Sequence, residues 1–312
     1  MMALLPSMVQ AKVTHLLPKP HSVTMGEGAA FALGRMVTIT DETGCVALQK
    51  FFTDNNCTIG DGGATVNVTI VESIAGTHDY ELAGFDNEAY TLTVTADAIE
   101  ITAVKPVGVI RATQTLAQLA EGYEGNAAVE AVTIKDWAAF KLRGYMHDVG
   151  RSFIEVETLK KHIDLLSRFK VNCFHWHFTE NQAWRFEVEG YPALTSAASM
   201  TRFEGKYYTQ DECKEVAAYA TERGVIVIPE IDMPGHSEAF VRAMGYDMQT
   251  DEGVEVLKNV LTQVASVFPD APYIHTRRHR TADGSQRELR QIQHRRRRYG
   301  CNPGSKTLRC CR

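Results

Sequence analysis

The feature that most restricts the fold of this chain is a regular alternation of apolar strands and amphipathic helices. It begins near Lys141 and comprises four short apolar runs separated by three stretches of helical periodicity: residues 142–150, 171–178, 225–234 and 272–275 for the strands, and 154–170, 209–224 and 254–268 for the helices. Thr209 and Glu212 form a capping box, and Gly224 stands just past that helix. The order predicts parallel strands covered by helices, either an open doubly wound sheet or a barrel.

The segment before this alternation, residues 17–137, has a mixed pattern. Residues 65–70 and 90–104 show the period-two alternation of strands, the second with a hairpin-like centre, and residues 109–123 show the period of a helix. We therefore predict a small α+β domain. Residues 1–16 form a separate N-terminal segment, which we interpret as a clipped signal peptide because Val9-Gln10-Ala11 suits a signal-peptidase site, although the apolar stretch is short and lacks a basic lead.

The net charge of −5 conceals a strong asymmetry along the chain. Residues 276–312 contain twelve basic and two acidic residues, whereas residues 1–275 contain 21 basic and 36 acidic residues. This Arg-rich tail is low in apolar residues, so we predict that it is disordered. Two origins are open: translation in a shifted reading frame, or a genuine basic tail.

Several classes of protein are disfavoured. No window approaches the roughly 18 uninterrupted apolar residues of a membrane span, and no Gly-rich phosphate loop follows a strand. The seven cysteines show neither a CxxC pair nor metal-ligand spacing. The tail has little aromatic content interleaved with its arginines, so nucleic-acid binding is not expected. We predict no cofactor.

Ionisable residues stand where each predicted strand of the second part ends. In parallel α/β folds the carboxyl ends of the strands open on one face, which carries the active site. Clusters at four strand ends therefore predict a site composed of these residues: Asp148, Arg151, His175, His177, Glu180, Glu230, Asp232, His236 and His275.

The pair His175 and His177 leaves two chemistries open. Residues two apart on a strand face the same side, so these imidazoles could ligate a metal in a metal-dependent barrel hydrolase. Alternatively, one packs beneath the site and the other donates hydrogen bonds. We expect the second arrangement, without a metal.

Long motifs in this chain resemble glycoside hydrolase family 20, the β-N-acetylhexosaminidases. They are "RGYMHDVGRSF", "NCFHWHFTENQAWRFEVEGYPALT", "YYTQDECKEVAAYATERGVIVIPEIDMPGHS" and "FPDAPYIH". The earlier "LLPKPHSVT", "EAYTLTV" and "GVIRATQTLAQL" are similar to the N-terminal domain of that family. The resemblance covers residues 17–275. It implies a (β/α)8 barrel, of which residues 138–275 supply strands 1–4, and exo-hydrolysis of terminal β-linked GlcNAc or GalNAc.

The resemblance also implies roles for individual residues. Family 20 uses substrate assistance: the acetamido carbonyl of the sugar attacks its own anomeric carbon while one carboxylate stabilises the intermediate and a second protonates the leaving oxygen. Arg151 would bind the sugar hydroxyls, with an ion pair to Asp148 as the alternative role. Glu180, Asp232 and His236 would support the catalytic acid. His177 and Trp184 would line the pocket, with a place in the core as the alternative for Trp184.

The two catalytic carboxylates of the family have no counterpart here. In family 20 the fourth strand runs "YIHIGGDE", and its last two letters are the catalytic pair. In this chain His275 is followed by Thr276, Arg277, Arg278, His279 and Arg280, so both acids are absent. We therefore predict a glycosidase by family whose own turnover is impaired, or a non-catalytic remnant that binds amino sugars. The expected partner is an amino-sugar oligosaccharide or glycoconjugate, and such substrates favour a periplasmic or extracellular location.

Overall fold

The structure is a computed structural model that describes residues 15–122 and 127–276. The chain divides into two compact units. The first contains Met1–Lys141 with the short segments Ser167–Lys170 and Glu222–Gly224, and the second contains Leu142–Leu166, Val171–Thr221 and Val225–Arg312. The predicted signal peptide up to residue 14, and the predicted disordered tail beyond Thr276, lie outside the described residues.

The first unit is an α+β domain around one mixed sheet, as predicted. Its elements are β1 (Ser22–Met25), β2 (Phe31–Ala32), β3 (Met36–Thr40), α1 (Val46–Asp54), β4 (Thr58–Ile59), β5 (Ala64–Ile70), β6 (Tyr90–Val94), β7 (Ala98–Ala103), α2 (Pro106–Gly122), β8 (Ala128–Val129) and β9 (Val132–Asp136). Seven strands form a sheet in the order β1-β9-β6-β7-β5-β3-β4, and β2 pairs with β8. The predicted hairpin is confirmed, because β6 and β7 pair antiparallel with Leu92 opposite Ile101.

The core of this unit lies where α2 packs against the sheet. Leu92, Ile101 and Ile134 alternate with more exposed residues along their strands, which is the period-two pattern of a sheet with one buried face. The helix α2 begins at Pro106, earlier than predicted, because proline is well suited to a first helical position, where its missing N–H has no partner to lose.

The second unit alternates strands and helices, which confirms the order predicted from the sequence. Its elements are β10 (Gly144–Asp148), α3 (Val156–Arg168), β11 (Cys173–His177), α4 (Gln210–Thr221), β12 (Ile226–Glu230), α5 (Glu238–Met244) and α6 (Asp251–Val267). The strands β10, β11 and β12 form a parallel sheet in that order. A large apolar core, with Trp176, Phe178 and Leu257 fully buried, surrounds this sheet.

Local signals placed the helix α4 correctly. The backbone N–H of Glu212 donates to Oγ1 of Thr209 at 3.2 Å, and the backbone N–H of Thr209 donates to Oε2 of Glu212 at 2.8 Å, which is a reciprocal capping box. Gly224 adopts φ 68°, the left-handed conformation that glycine tolerates best after a helix.

Two predictions for this unit need correction. Within the described residues, the predicted fourth strand is represented by a single parallel bridge between Glu230 and His275. The short helix α5 was not predicted, since its seven residues are too few for a helical period to stand out. Within the described residues, no helix has the length and apolar character needed to traverse a bilayer.

Candidate active site

The strand ends of the second unit lie at one level of the sheet. Asp148 of β10 is the register partner of His177 of β11, and His177 is the register partner of Glu230 of β12. Glu230 in turn bridges to His275. Register partners in a parallel sheet point to the same face, so the structure brings together the ionisable strand ends that the sequence predicted to form one site.

Arg151 is held between two carboxylates at this face. Its Nη1 donates to Oδ2 of Asp148 at 2.7 Å, and its Nη2 donates to Oε1 of Glu180. The side chain of Arg151 is 47% exposed, whereas that of Glu180 is 1% exposed. A planar guanidinium fixed from one side in this way presents its remaining donors to solvent in a defined orientation. The ion pair with Asp148, weighed above as the alternative role of Arg151, is therefore compatible with binding sugar hydroxyls.

Glu180 also contacts His236, which reaches it from the loop after β12. The Nδ1 atom of His236 lies 2.6 Å from Oε1 of Glu180. His236 has φ 52°, a left-handed conformation that is unfavourable for a residue with a Cβ. Such a conformation persists where surrounding contacts hold it, and it often marks a functional site.

A close approach of backbone fixes Glu180 from the other side. A Cβ added to Gly150 would lie 2.7 Å from Cβ of Glu180 and 3.0 Å from its backbone nitrogen. Glycine is therefore required at this position for Glu180 to reach Arg151. The loop between β10 and α3 thus positions both ends of the ion pair.

Asp232 lies deeper than the exposed part of the site. It is completely buried, and its backbone N–H donates to Oγ1 of Thr179 at 2.8 Å. Burial alone lowers the pKa of His177, but Glu230, Asp148 and Asp232 raise it overall. Asp232 therefore acts on the site through its charge, in keeping with a supporting role.

Three imidazoles surround the carboxylate of Glu230. Nε2 of His175 and Nδ1 of His177 each lie 2.7 Å from Oε2, and Nδ1 of His275 lies 3.0 Å from Oε1. Burial alone would raise the pKa of Glu230, but these imidazoles hold it well below its usual range. Glu230 is consequently an anion at neutral pH and cannot act as a general acid.

Two residues expected to line the pocket are buried instead. Trp184 is 1% exposed, packs near Phe240, and donates from Nε1 to the carbonyl oxygen of Phe186 at 2.7 Å. The burial of Trp184 favours the core, the alternative stated above, and its pocket-lining role stays a prediction. His177 is 3% exposed and lies between Glu230 and Glu180, so in the described residues it contacts carboxylates, and its pocket-lining role stays a prediction.

Glu230 was predicted to belong to the site without a role of its own, and the structure makes it the centre of the imidazole group. The signal was available in the strand alignment: a glutamate at the end of a buried strand, next to a strand ending in two histidines on one face, predicts such contacts.

Comparison with known families gives two matches. The model described as "Glycosyl hydrolase family 20, catalytic domain" matches residues 140–252. The model described as "Glycosyl hydrolase family 20, domain 2" matches residues 13–137. The two matches follow each other along the chain and meet at the change of pattern near Lys141.

Curated relatives of this chain are named β-hexosaminidases. A β-hexosaminidase of Vibrio furnissii is 34% identical over 248 residues, which is 75% of this chain and 40% of the relative. A β-hexosaminidase of Porphyromonas gingivalis is 44% identical over 169 residues, or 50% of this chain and 22% of the relative. This chain therefore spans well under half the length of these two relatives.

Solved structures agree with the fold. The β-N-acetylhexosaminidase of Bacteroides fragilis superposes with a TM-score of 0.72 and 29% identity, covering 88% of this chain and 59% of that protein. An exo β-N-acetylglucosaminidase of Vibrio harveyi, solved in complex with N-acetylglucosamine, gives a TM-score of 0.71 at 26% identity and covers 86% and 47%. The barrel is thus favoured over the open doubly wound sheet for the second unit.

Proposed function

This chain belongs to glycoside hydrolase family 20, and on that premise we propose that its second unit binds the terminal amino sugar of a β-N-acetylhexosaminidase substrate. The substrate class is a glycoconjugate or oligosaccharide ending in β-linked GlcNAc or GalNAc. The activity of the family is retaining, substrate-assisted exo-hydrolysis. In this sequence we assign binding to the chain, with turnover strongly reduced.

The arrangement of Arg151 carries the proposal. Its guanidinium is fixed by Asp148 and Glu180 and remains half exposed at the strand ends. Two donors of one planar group match two neighbouring hydroxyl oxygens of a pyranose, and the cost of ordering the side chain is already met in the free protein. His236 and Gly150 hold Glu180 in place, so they act as positioning residues for Arg151.

The absence of the two catalytic carboxylates is the reason that we propose strongly reduced turnover. Substrate assistance needs a carboxylate to stabilise the positive intermediate and a carboxylic acid to protonate the leaving oxygen. The positions that match the Asp-Glu pair of the family, four and five residues after His275, hold His279 and Arg280, which supply neither group. Among the strand-end carboxylates described, Glu230 is held ionised and Glu180 is engaged by Arg151 and His236, so neither replaces the lost acid.

The test is binding of a monosaccharide to the full chain. Saturation-transfer NMR and calorimetry with N-acetylglucosamine should give saturable binding, with a dissociation constant on the order of 1 mM. Glucose, which lacks the acetamido group, serves as the control ligand. Arg151→Met should abolish binding, whereas Arg202→Met, which removes an exposed arginine of the same unit, should leave it unchanged. Equal binding by both variants would exclude Arg151 as the sugar-binding group.

We also propose an extracytoplasmic location for the protein. The support is chemical: polymeric amino-sugar substrates are found outside the cytoplasm, and residues 9–11 suit a signal-peptidase site. Fractionation of cells that express the full chain tests this, and recovery of the unprocessed chain in the cytoplasm alone would contradict it.

A further inference from the structure

A second group of chemically active side chains lies at the strand ends, and the proposed sugar site does not use it. We call it the histidine–glutamate cluster; its members are His175, His177, Glu230 and His275. Three imidazole nitrogens lie within 3.0 Å of one carboxylate. All four residues belong to the second unit.

The polar atoms of the cluster are buried and poorly satisfied. His177 and Glu230 are 3% and 2% exposed. In the part of the chain that the structure describes, the ring nitrogens facing Glu230 and its Oε2 atom are in ion-pair contact with one another but have no hydrogen-bond partner. Buried polar atoms without partners are rare, and each calls for another group to satisfy it.

We propose that His175, Glu230 and His275 bind a divalent transition-metal ion of the Zn²⁺ class. One ligand atom from each residue lies within 4.8 Å of the other two. A tetrahedral zinc site with bonds of about 2.0–2.2 Å needs ligand atoms roughly 3.3 Å apart. Small side-chain rotations therefore suffice to bring the three atoms into coordination.

The ligand types determine which ions fit. Imidazole nitrogens favour Zn²⁺, Co²⁺, Ni²⁺ and Cu²⁺ over Mg²⁺ and Ca²⁺, which prefer a shell of oxygen atoms. Two histidines and one carboxylate form an established zinc ligand set and leave a fourth position for water. The rings of His175 and His275 meet edge to face with centroids 4.6 Å apart, so their nitrogens can approach one ion without stacking.

His177 serves as a positioning residue for this site. Its Nδ1 atom contacts Oε2 of Glu230, and contacts of this kind orient a ligating carboxylate. The bound ion would connect β11, β12 and the segment at His275 through their strand ends. Because the ligands converge in the folded chain, binding should stabilise it against unfolding.

The experiment uses the full chain in which Cys301, Cys310 and Cys311 are replaced by serine, so that thiolates do not compete for the ion. Protein stripped with a chelator is titrated with Co²⁺ and followed by visible absorption, and Zn²⁺ content after dialysis is measured by mass spectrometry. We expect one ion per chain, absorption bands of nitrogen and oxygen ligation, and a higher Tm with metal.

Variants separate the cluster from other histidines. Glu230→Gln and His275→Asn should each weaken Co²⁺ binding at least tenfold, whereas His162→Asn, on α3 and outside the cluster, should bind as the parent does. If Glu230→Gln does not fold, His275→Asn decides, because the His275 ring is 27% exposed and its replacement should disturb the core less. Binding below one ion per chain, or binding that survives both cluster substitutions, would overturn the proposal. Sugar binding is measured on stripped protein, so failure of one proposal leaves the other testable.

Discussion

Nδ1 of His236 lies 2.6 Å from Oε1 of Glu180, and His236 reaches this position from a left-handed backbone conformation with φ 52°. The side-chain contact and the backbone strain of His236 therefore have opposite effects on the stability of the folded chain. The side chain supports Glu180, which holds Arg151, while the backbone conformation costs stability.

Substitutions of His236 separate these two effects. Both His236→Gly and His236→Ala lose the contact to Glu180, but only glycine relieves the left-handed strain. We expect the alanine variant to be less stable than the glycine variant by about 1–2 kcal/mol, measured by urea unfolding. Equal stabilities would show that the backbone relaxes out of the left-handed region when the imidazole is removed.

Gly150 gives a second test of how Glu180 is positioned. Gly150→Ala places a Cβ 2.7 Å from that of Glu180, so Glu180 must shift and the ion pair to Arg151 should weaken. We expect a loss of about 1–3 kcal/mol in the free energy of unfolding and at least a tenfold loss of N-acetylglucosamine affinity. Gly144→Ala is the matched control, because its nearest contact would be 3.7 Å away and its effects should be small.

A buried ion pair in the first unit gives a prediction about stability. Nζ of Lys170 donates to Oδ2 of Asp136 at 2.8 Å and to the hydroxyl of Tyr90 at 2.9 Å, and both charged groups are buried. Lys170→Met removes the cationic Lys170 partner of a buried carboxylate, which should cost about 3–5 kcal/mol. The double variant Lys170→Met/Asp136→Asn should recover much of this loss. Additive losses in a double-mutant cycle would mean that the two charges do not interact.

The same pair predicts a pH dependence. Burial alone would raise the pKa of Asp136, but Lys170 lowers it overall from the usual 3.8. Burial alone would lower the pKa of Lys170, but Tyr90 and Asp136 raise it overall from the usual 10.5. The Asp136 contribution is therefore present above pH 3.8 and lost on further acidification, and the Lys170 contribution is present below pH 10.5 and lost as pH rises beyond it. The stability difference between the parent and Lys170→Met/Asp136→Asn should decrease as the pH falls below 3.8 and as it rises above 10.5; a difference that stays unchanged beyond both limits would contradict this.

Much of this architecture could be predicted from local sequence signals. The capping box at Thr209 and Glu212 and the apolar periods of β6, β7 and α2 are properties of short segments, so they were visible without tertiary information. The convergence of the strand ends followed from the general geometry of parallel sheets.

The remaining features depend on tertiary contacts that no local pattern encodes. The burial of Trp184 is set by its packing near Phe240 and could not be distinguished from a pocket position by residue type. The central place of Glu230 requires the register between β11 and β12. The need for glycine at position 150 arises from Glu180, which lies thirty positions further along the chain.

The most direct test of the account is to measure sugar binding and turnover on one preparation of the full chain, beside an intact family 20 enzyme. We predict saturable N-acetylglucosamine binding that depends on Arg151. Hydrolysis of a nitrophenyl N-acetylglucosaminide should be slower than in the intact enzyme by at least the contribution of a general acid, which is roughly 10²–10⁴-fold. Turnover close to that of the intact enzyme would contradict the account. It would show that another residue of this chain replaces the missing catalytic acid.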